Sequence, residues 1–286
     1  MQLPLQTHTI FKYAIILFLQ AFTIIGINQN ALTAEDESFV SPIKVTAVES
    51  LKRFFSFGSD EFASTKDFVD GGYATPTVYY IPTITDEDNV CKKNEKVQVW
   101  GLTEDNKVKE SIQLCRKQYN NCTMQGSCLV MINNKYYPIN FQQQTGGKIL
   151  FTQFPLDVCP FGLGAGMTCL DPFKSVAADL TKYKLGTVLY FPKLKGLYYG
   201  MDKPHDGYVI VRDSGGAING TGRFDFFSGY TNWKDQNNYL ANAGFGDKTK
   251  KTKFYIVRGK TADAVRASRN YPGVPNFDYD RSELVR

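Results

Sequence analysis

Hydrophobic and polar residues alternate along most of this chain in short runs. The segments 77–84, 97–100, 148–154, 187–191, 208–212 and 224–227 are rich in Val, Ile, Leu, Tyr, Phe and Trp and are separated by Gly, Pro, Asn or Asp. Runs of four to eight such residues between turn formers predict strands. Two stretches break this rhythm. Residues 172–183 read as an amphipathic helix, and WKDQNNYLANAG, 233–244, reads as a second helix ending at Gly244. A further amphipathic stretch, AVESLKRFFSF, lies within 35–71, and the segment 260–286 is polar, carries YPGVP and reads as loop. Periodicity alone predicts a mixed, β-rich protein.

The first 34 residues change the picture of where the chain works. Lys12 is the only Lys or Arg there, an apolar stretch follows from Ala14, and ALTA precedes the acidic EDES. This is the pattern of a signal peptide cleaved near Glu35, and its apolar run falls short of the roughly 20 residues a membrane-spanning helix needs. The expected location is secreted or periplasmic, with no membrane contact after cleavage. Cys91, Cys115, Cys122, Cys128, Cys159 and Cys169 are the six cysteines of this exported chain. Disulfides are the natural state of such cysteines, in any of 15 pairings. Zinc is the rival, but the spacings lack a CxxC pair and His205 is the single histidine after the leader, so no metal and no cofactor is expected. The formal charge of +5 is a mild basic excess. It suits an anionic surface such as cell wall. The longest basic run, KTKKTK at 248–253, is too short to suggest nucleic acid.

The candidate chemistry is concentrated in HDGYVIVRDSGGAINGTGRFDFFSGY, 205–230. A strand runs into Asp213, Gly215 and Gly216 free the backbone for tight geometry or close approach of a ligand, and Asp225 follows between Phe224 and Phe226. Alternation turns the two phenylalanines to the opposite face from Asp225, into the core.

This stretch resembles the signature of the 3D family, named for three aspartates, which is shared with the catalytic domain of membrane-bound lytic murein transglycosylase A. Asp213 and Asp225 match the second and third aspartates. Asp179, shortly before Leu-Gly-Thr and a strand, matches the first. GYATPTVYYIP, 72–82, resembles the opening strand and FGDKTKKTKFYIVRG, 245–259, the closing one. The resemblance implies a mainly β fold, a six-stranded double-psi β-barrel over 72–259 with a disulfide-containing insertion at 91–147 and a few short helices. Residues 1–34 are then the leader, 35–71 a lead-in and 260–286 a tail. It also implies a peptidoglycan lytic transglycosylase whose partner is a glycan strand.

Three enzyme chemistries compete for these residues. A serine protease built on Ser214 needs a histidine base in reach, and only His205 is available. An aspartic protease needs two carboxylates sharing a proton, and there is one DSG. Glycan cleavage needs an acid of raised pKa to protonate the leaving oxygen. A lytic transglycosylase needs few groups beyond that, because the 6-hydroxyl of N-acetylmuramic acid attacks its own C1. Following the resemblance, Asp225 is the acid and base, Asp213 supports it, and Asp179 orders the site. Tyr73, Thr75, Gly215, Gly216, Tyr230 and Trp233 are the expected glycan contacts, with Tyr79 a further aromatic candidate. Aspartates beside glycines also cap turns through their own side chains. The alternative from another class is a non-catalytic, expansin-like glycan-binding or wall-loosening module, since a fold does not settle an activity.

Overall fold

The computed structural model describes residues 66–102, 107–199, 204–232 and 234–277. The leader, the 47–57 stretch and Trp233 lie outside the described residues. Twelve strands and three helices are described. They form a closed six-stranded barrel and a separate six-stranded sheet, so the fold is mainly β.

The barrel uses β1 (Phe68–Tyr79), β8 (Ser175–Ala178), β9 (Val188–Tyr190), β10 (Tyr208–Asp213), β11 (Arg223–Phe227) and β12 (Thr252–Val257). Their order around the barrel is β1-β11-β8-β10-β9-β12, closed by antiparallel pairing of β12 with β1. Alternation along these strands fills the interior with Ala74, Val78, Val176, Ala178, Leu189, Val209, Val211, Phe224, Phe226 and Phe254. Phe191 stacks on Phe254 and meets Phe224 and Phe226 edge-on, an arrangement that aromatic quadrupoles favour. The outward positions, Thr75, Thr77, Asp225 and Asp213, are left half-buried.

The second sheet comprises β2 (Thr83–Ile84), β3 (Lys96–Leu102), β4 (Val108–Cys115), β5 (Ser127–Ile132), β6 (Lys135–Thr145) and β7 (Lys148–Gln153), in the order β2-β5-β6-β7-β3-β4. It is broader than the 91–147 excursion expected from sequence and has its own core of Val99, Leu114, Val130, Ile139 and Phe151. The helix α1 (Arg116–Gln125) covers it. Cys91–Cys115 and Cys122–Cys128 staple this sheet, Cys159–Cys169 closes a loop beyond it, and no described cysteine is free. Tyr79, Ile81, Leu129, Phe161, Ala177 and Phe227 form one apolar cluster between sheet and barrel.

Two sequence expectations are corrected. The 172–183 stretch is not a helix. Its centre is β8, all four residues of which are buried between parallel β10 and antiparallel β11. A strand covered on both faces loses the alternation that marks strands, so its small, apolar residues imitate a helix. The tail is also not all loop. It opens with α3 (Gly259–Ser268), whose Ala262 and Val265 pack on Val188, Tyr190, Ile210 and Val257. Asp67, nearly two hundred residues upstream in sequence, accepts bonds from the Thr261 N–H and hydroxyl near the start of this helix. The helix expected over 233–244 is reduced to one turn, α2 (Tyr239–Asn242), capped by the Asn238 side chain on the Ala241 N–H at 3.0 Å.

Candidate active site

Four neighbouring barrel strands place one row of residues on the outer face. Thr77 pairs with Asp225 between β1 and β11, Asp225 with Ala177 between β11 and β8, and Ala177 with Asp213 between β8 and β10. The two carboxylates, consecutive in the strand order of the sequence, are therefore not on neighbouring strands of the barrel. Strand β8 separates them, which sets their Cα atoms about 10 Å apart at the usual strand spacing. Asp213 enters the row because β10 bulges between Val211 and Asp213. With regular pairing Arg212 would lie opposite Ala177, so the extra residue re-aims the strand end. Arg212 instead is fully buried and donates to the carbonyls of Cys169 and Arg269.

Asp225 is held on one oxygen. Thr77 Oγ1 donates to its Oδ1 at 2.6 Å, and Arg223 Nη1 donates to Thr77 Oγ1 at 2.7 Å. Its Oδ2 takes no hydrogen bond among the described residues and is not among the buried unpaired atoms. Burial pushes the Asp225 carboxyl up from the usual carboxylate range, opposed by the Thr77 bond and the charges of Arg223 and Lys248. Asp213 is held on both oxygens. Tyr79 Oη donates to Oδ2 at 2.8 Å, while the N–H groups of Ala165 and Ser214 donate to Oδ1 at 3.0 and 2.8 Å. Burial nevertheless raises it to about 6, with the charge of Asp225 adding a smaller push. Burial is the largest cause of the upward shift at both acids. Asp179 stands apart from the row. It accepts from Gly220 N at 2.7 Å and from the Thr181 N–H and hydroxyl, bonds that lower its pKa. It thereby ties the end of β8 to the turn between β10 and β11.

The other expected contacts divide. Thr75 lies on the same strand face as Thr77, with its N–H bonded to Gly222 O at 2.7 Å. Tyr73 continues that face and is 65% exposed, with Lys253 Nζ 5.3 Å from its ring centre. Tyr79 is buried, and its hydroxyl serves Asp213. Tyr230 packs on Phe161 with centroids 5.6 Å apart and donates its hydroxyl to Pro160 O. Gly215 and Gly216 are exposed, but neither has the left-handed backbone that demands glycine. That requirement falls on Gly220 and Gly222, at φ 86° and 75°. At Gly222 an added Cβ would lie 2.6 Å from Tyr73 O.

Sequence reasoning missed Thr77, Arg223 and Ala165. Only Thr77 left a trace, as an outward position on the opening strand. The protease alternatives find no machinery. His205 is buried, with Nε2 3.0 Å from Phe173 O and Nδ1 accepting from Gly207 N–H, so neither nitrogen is available to Ser214. Asp213 and Asp225, separated by a strand, do not form the proton-sharing pair of an aspartic protease. What the row offers is a partly desolvated carboxyl with one oxygen anchored and the other accessible, a group suited to give and take a proton.

No curated protein matches the sequence. Among solved structures the chain is similar to Escherichia coli MltA with bound chitohexaose, at 13% identity and TM-score 0.43 over 65% of this chain and 72% of that one. It is similar to a membrane-bound lytic murein transglycosylase from Agrobacterium tumefaciens at 14% identity and TM-score 0.45, over 69% and 77% of the two chains. It is also similar to MltA from Neisseria gonorrhoeae, at 16% identity and TM-score 0.37 over 65% and 71%. The 3D domain model matches residues 174–257, a span that contains Asp179, Asp213 and Asp225. Residues 174–257 of this chain are a 3D domain.

Proposed function

We propose that the protein is an exported peptidoglycan lytic transglycosylase that cleaves the β-1,4 bond between N-acetylmuramic acid and N-acetylglucosamine, with Asp225 as acid and then base. Protonated Asp225 gives its proton to the glycosidic oxygen as the C1–O bond breaks. The resulting carboxylate then takes the proton of the 6-hydroxyl as that oxygen bonds to C1, leaving a 1,6-anhydro end. Water does not enter, and the acid is regenerated. The observation that carries the proposal is the asymmetry of Asp225, with Oδ1 fixed by Thr77 and Oδ2 unbonded in a half-buried outer row. Asp213, held on both oxygens by three donors, is suited to shaping the field around the acid and less to transferring a proton itself.

The exposed ring of Tyr73 and the outward Thr75 extend the row along β1 and supply a surface on which a sugar ring can lie. Gly215 and Gly216 leave the opposite rim without side chains. Three disulfides fit an oxidising, extracytoplasmic compartment. The same proposal carries the double-psi crossing of the barrel strands and a domain spanning 72–259. Mass spectrometry of digested sacculi tests it. Anhydro ends, one water lighter than reducing ends, are expected. Reducing ends alone would mean hydrolysis, and sacculi bound but uncut would mean a binding module.

A further inference from the structure

The loop closed by Cys159–Cys169 does more than staple the surface. Internally it is tied by Gly164 N–H to Thr168 O at 2.8 Å, by Leu170 N–H to Gly162 O at 3.0 Å and by Gly162 N–H to Cys159 O at 3.0 Å. It then grips the bulge of β10 from two sides. Arg212 Nη1 donates to Cys169 O at 3.2 Å, and Thr168 Oγ1 donates to Arg212 O at 3.3 Å. Gly164 lies so close to the Arg212 carbonyl that a Cβ there would collide with it. At the tip of the same loop, Ala165 N–H donates to Asp213 Oδ1 at 3.0 Å. The disulfide, the Gly164 contact and the Ala165 donor thus converge on one residue and its aim.

We infer that the Cys159–Cys169 loop is a positioning clamp for Asp213, with Gly164 and Thr168 fixing the bulge that aims its carboxylate and the Ala165 N–H holding Oδ1. The inference rests on the reading of Asp213 as part of the site. The role belongs to the backbone of Ala165, so no side chain in the loop advertises it. The titratable groups facing Asp213 are Tyr79 from β1 and Asp225 from β11. Ala165 N–H and Ser214 N–H are the remaining donors. Removing one donor to the charged form favours the neutral acid.

Substitution can delete this donor. Gly164 is extended, at φ −90° and ψ −166°, and Ala165 opens a 3-10 turn. A proline is tolerated at a first helical position and requires an extended residue before it. Ala165→Pro therefore removes the N–H and sets its Cδ where the bonded hydrogen pointed, so the Asp213 carboxylate loses the donor and is also pushed aside, whereas Ala165→Ser keeps the N–H. Carbon-13 NMR of the Asp213 carboxyl, assigned through Asp213→Asn, should show wild type titrating near 6. Ala165→Pro should move the midpoint up by roughly one unit or more, the worth of a hydrogen bond to a charged acceptor, and Ala165→Ser should leave it in place. Cys159→Ser/Cys169→Ser should speed exchange of the Ala165 amide at least about tenfold, while Cys122→Ser/Cys128→Ser should not. An Ala165→Pro midpoint equal to wild type, or an Ala165 amide indifferent to the loop disulfide, would overturn the inference. If the proline variant fails to fold, wild type alone decides, because the Ala165 amide resonance must titrate with the Asp213 midpoint, and a flat resonance contradicts the clamp. None of these readouts uses glycan cleavage, so an inactive wild type would sink the transglycosylase proposal and leave the clamp standing.

Discussion

Thr77 and Asp225 face each other across the parallel pairing of β1 and β11, 148 residues apart in sequence and 2.6 Å apart through Oγ1 and Oδ1. The contact orients the acid and also stabilises its charged form. Thr77→Val keeps a β-branched side chain on the strand and removes the donor. Turnover is expected to fall about 10- to 100-fold, the worth of one hydrogen bond to a charged acceptor. The Asp225 limb of the pH–rate profile should move to higher pH. Unchanged turnover with an unchanged profile would show that Thr77 does not orient the acid.

The turn between β10 and β11 depends on glycine at Gly222 and not at Gly216. Gly222→Ala brings a Cβ against Tyr73 O at φ 75°, a clash and a strained backbone together, and should cost roughly 1–3 kcal/mol or more. At Gly216 an added Cβ meets nothing within 4 Å. Thermal unfolding of Gly222→Ala and Gly216→Ala distinguishes the two. Equal melting temperatures would contradict this description of the turn.

Asp179 should act on stability and not on the chemical step. Its carboxylate accepts from Thr181 on one oxygen and from Gly220 on the other, and an amide in its place keeps one acceptor and turns its NH2 donor toward the other set of donors. Asp179→Asn is expected to melt earlier while keeping the pH–rate profile of wild type. Because its pKa is lowered below the ordinary 3.8, its stabilising contribution is present above that value and is lost as pH falls through the folded-state pKa. A shifted profile with unchanged melting would assign Asp179 to catalysis.

Two buried groups pull the pH dependence of stability in opposite directions. Burial lowers His205 from 6.5 to about 4, so its contribution is intact above 6.5 and is lost as pH falls toward 4. Burial raises Asp213 from 3.8 to about 6, so its contribution is full below 3.8 and is lost as pH rises through 6. Between pH 4 and 6 they offset each other. Asp213→Asn removes one side of the balance and should lose stability on acidification from 6 to 4 faster than wild type, by about 1 kcal/mol per pH unit. Parallel curves of melting temperature against pH for the two proteins would contradict it.

Much of the site was legible because it is local. Asp213, the turn and Asp225 lie within one stretch of the chain, and alternation put Phe224 and Phe226 in the core, where both are fully buried. Their partners were not legible, because Thr77 and Tyr79 arrive from 148 and 134 residues away and Ala165 contributes only a backbone N–H. The bulge that aims Asp213 has no composition of its own. β8 was hidden by burial on both faces, and α3 by having two buried apolar residues, Ala262 and Val265, in a polar segment. The glycine pair beside Asp213 suggests tight backbone geometry, yet the left-handed residues are Gly220 and Gly222, the pair whose spacing marks a turn before Phe224.

Proton transfer by Asp225 is tested most directly by the products of Asp225→Asn on purified glycan strands. The amide keeps the shape and can still accept from Thr77, but it has no proton to give, and general acid catalysis is worth about 10² to 10⁴-fold. Wild type is expected to release 1,6-anhydro ends, Asp225→Asn to release almost none while binding the same strands and melting near wild type, and Asp213→Asn to retain measurable cleavage. Wild-type turnover by Asp225→Asn, or reducing ends alone from the wild-type protein, would contradict a transglycosylase acting through Asp225.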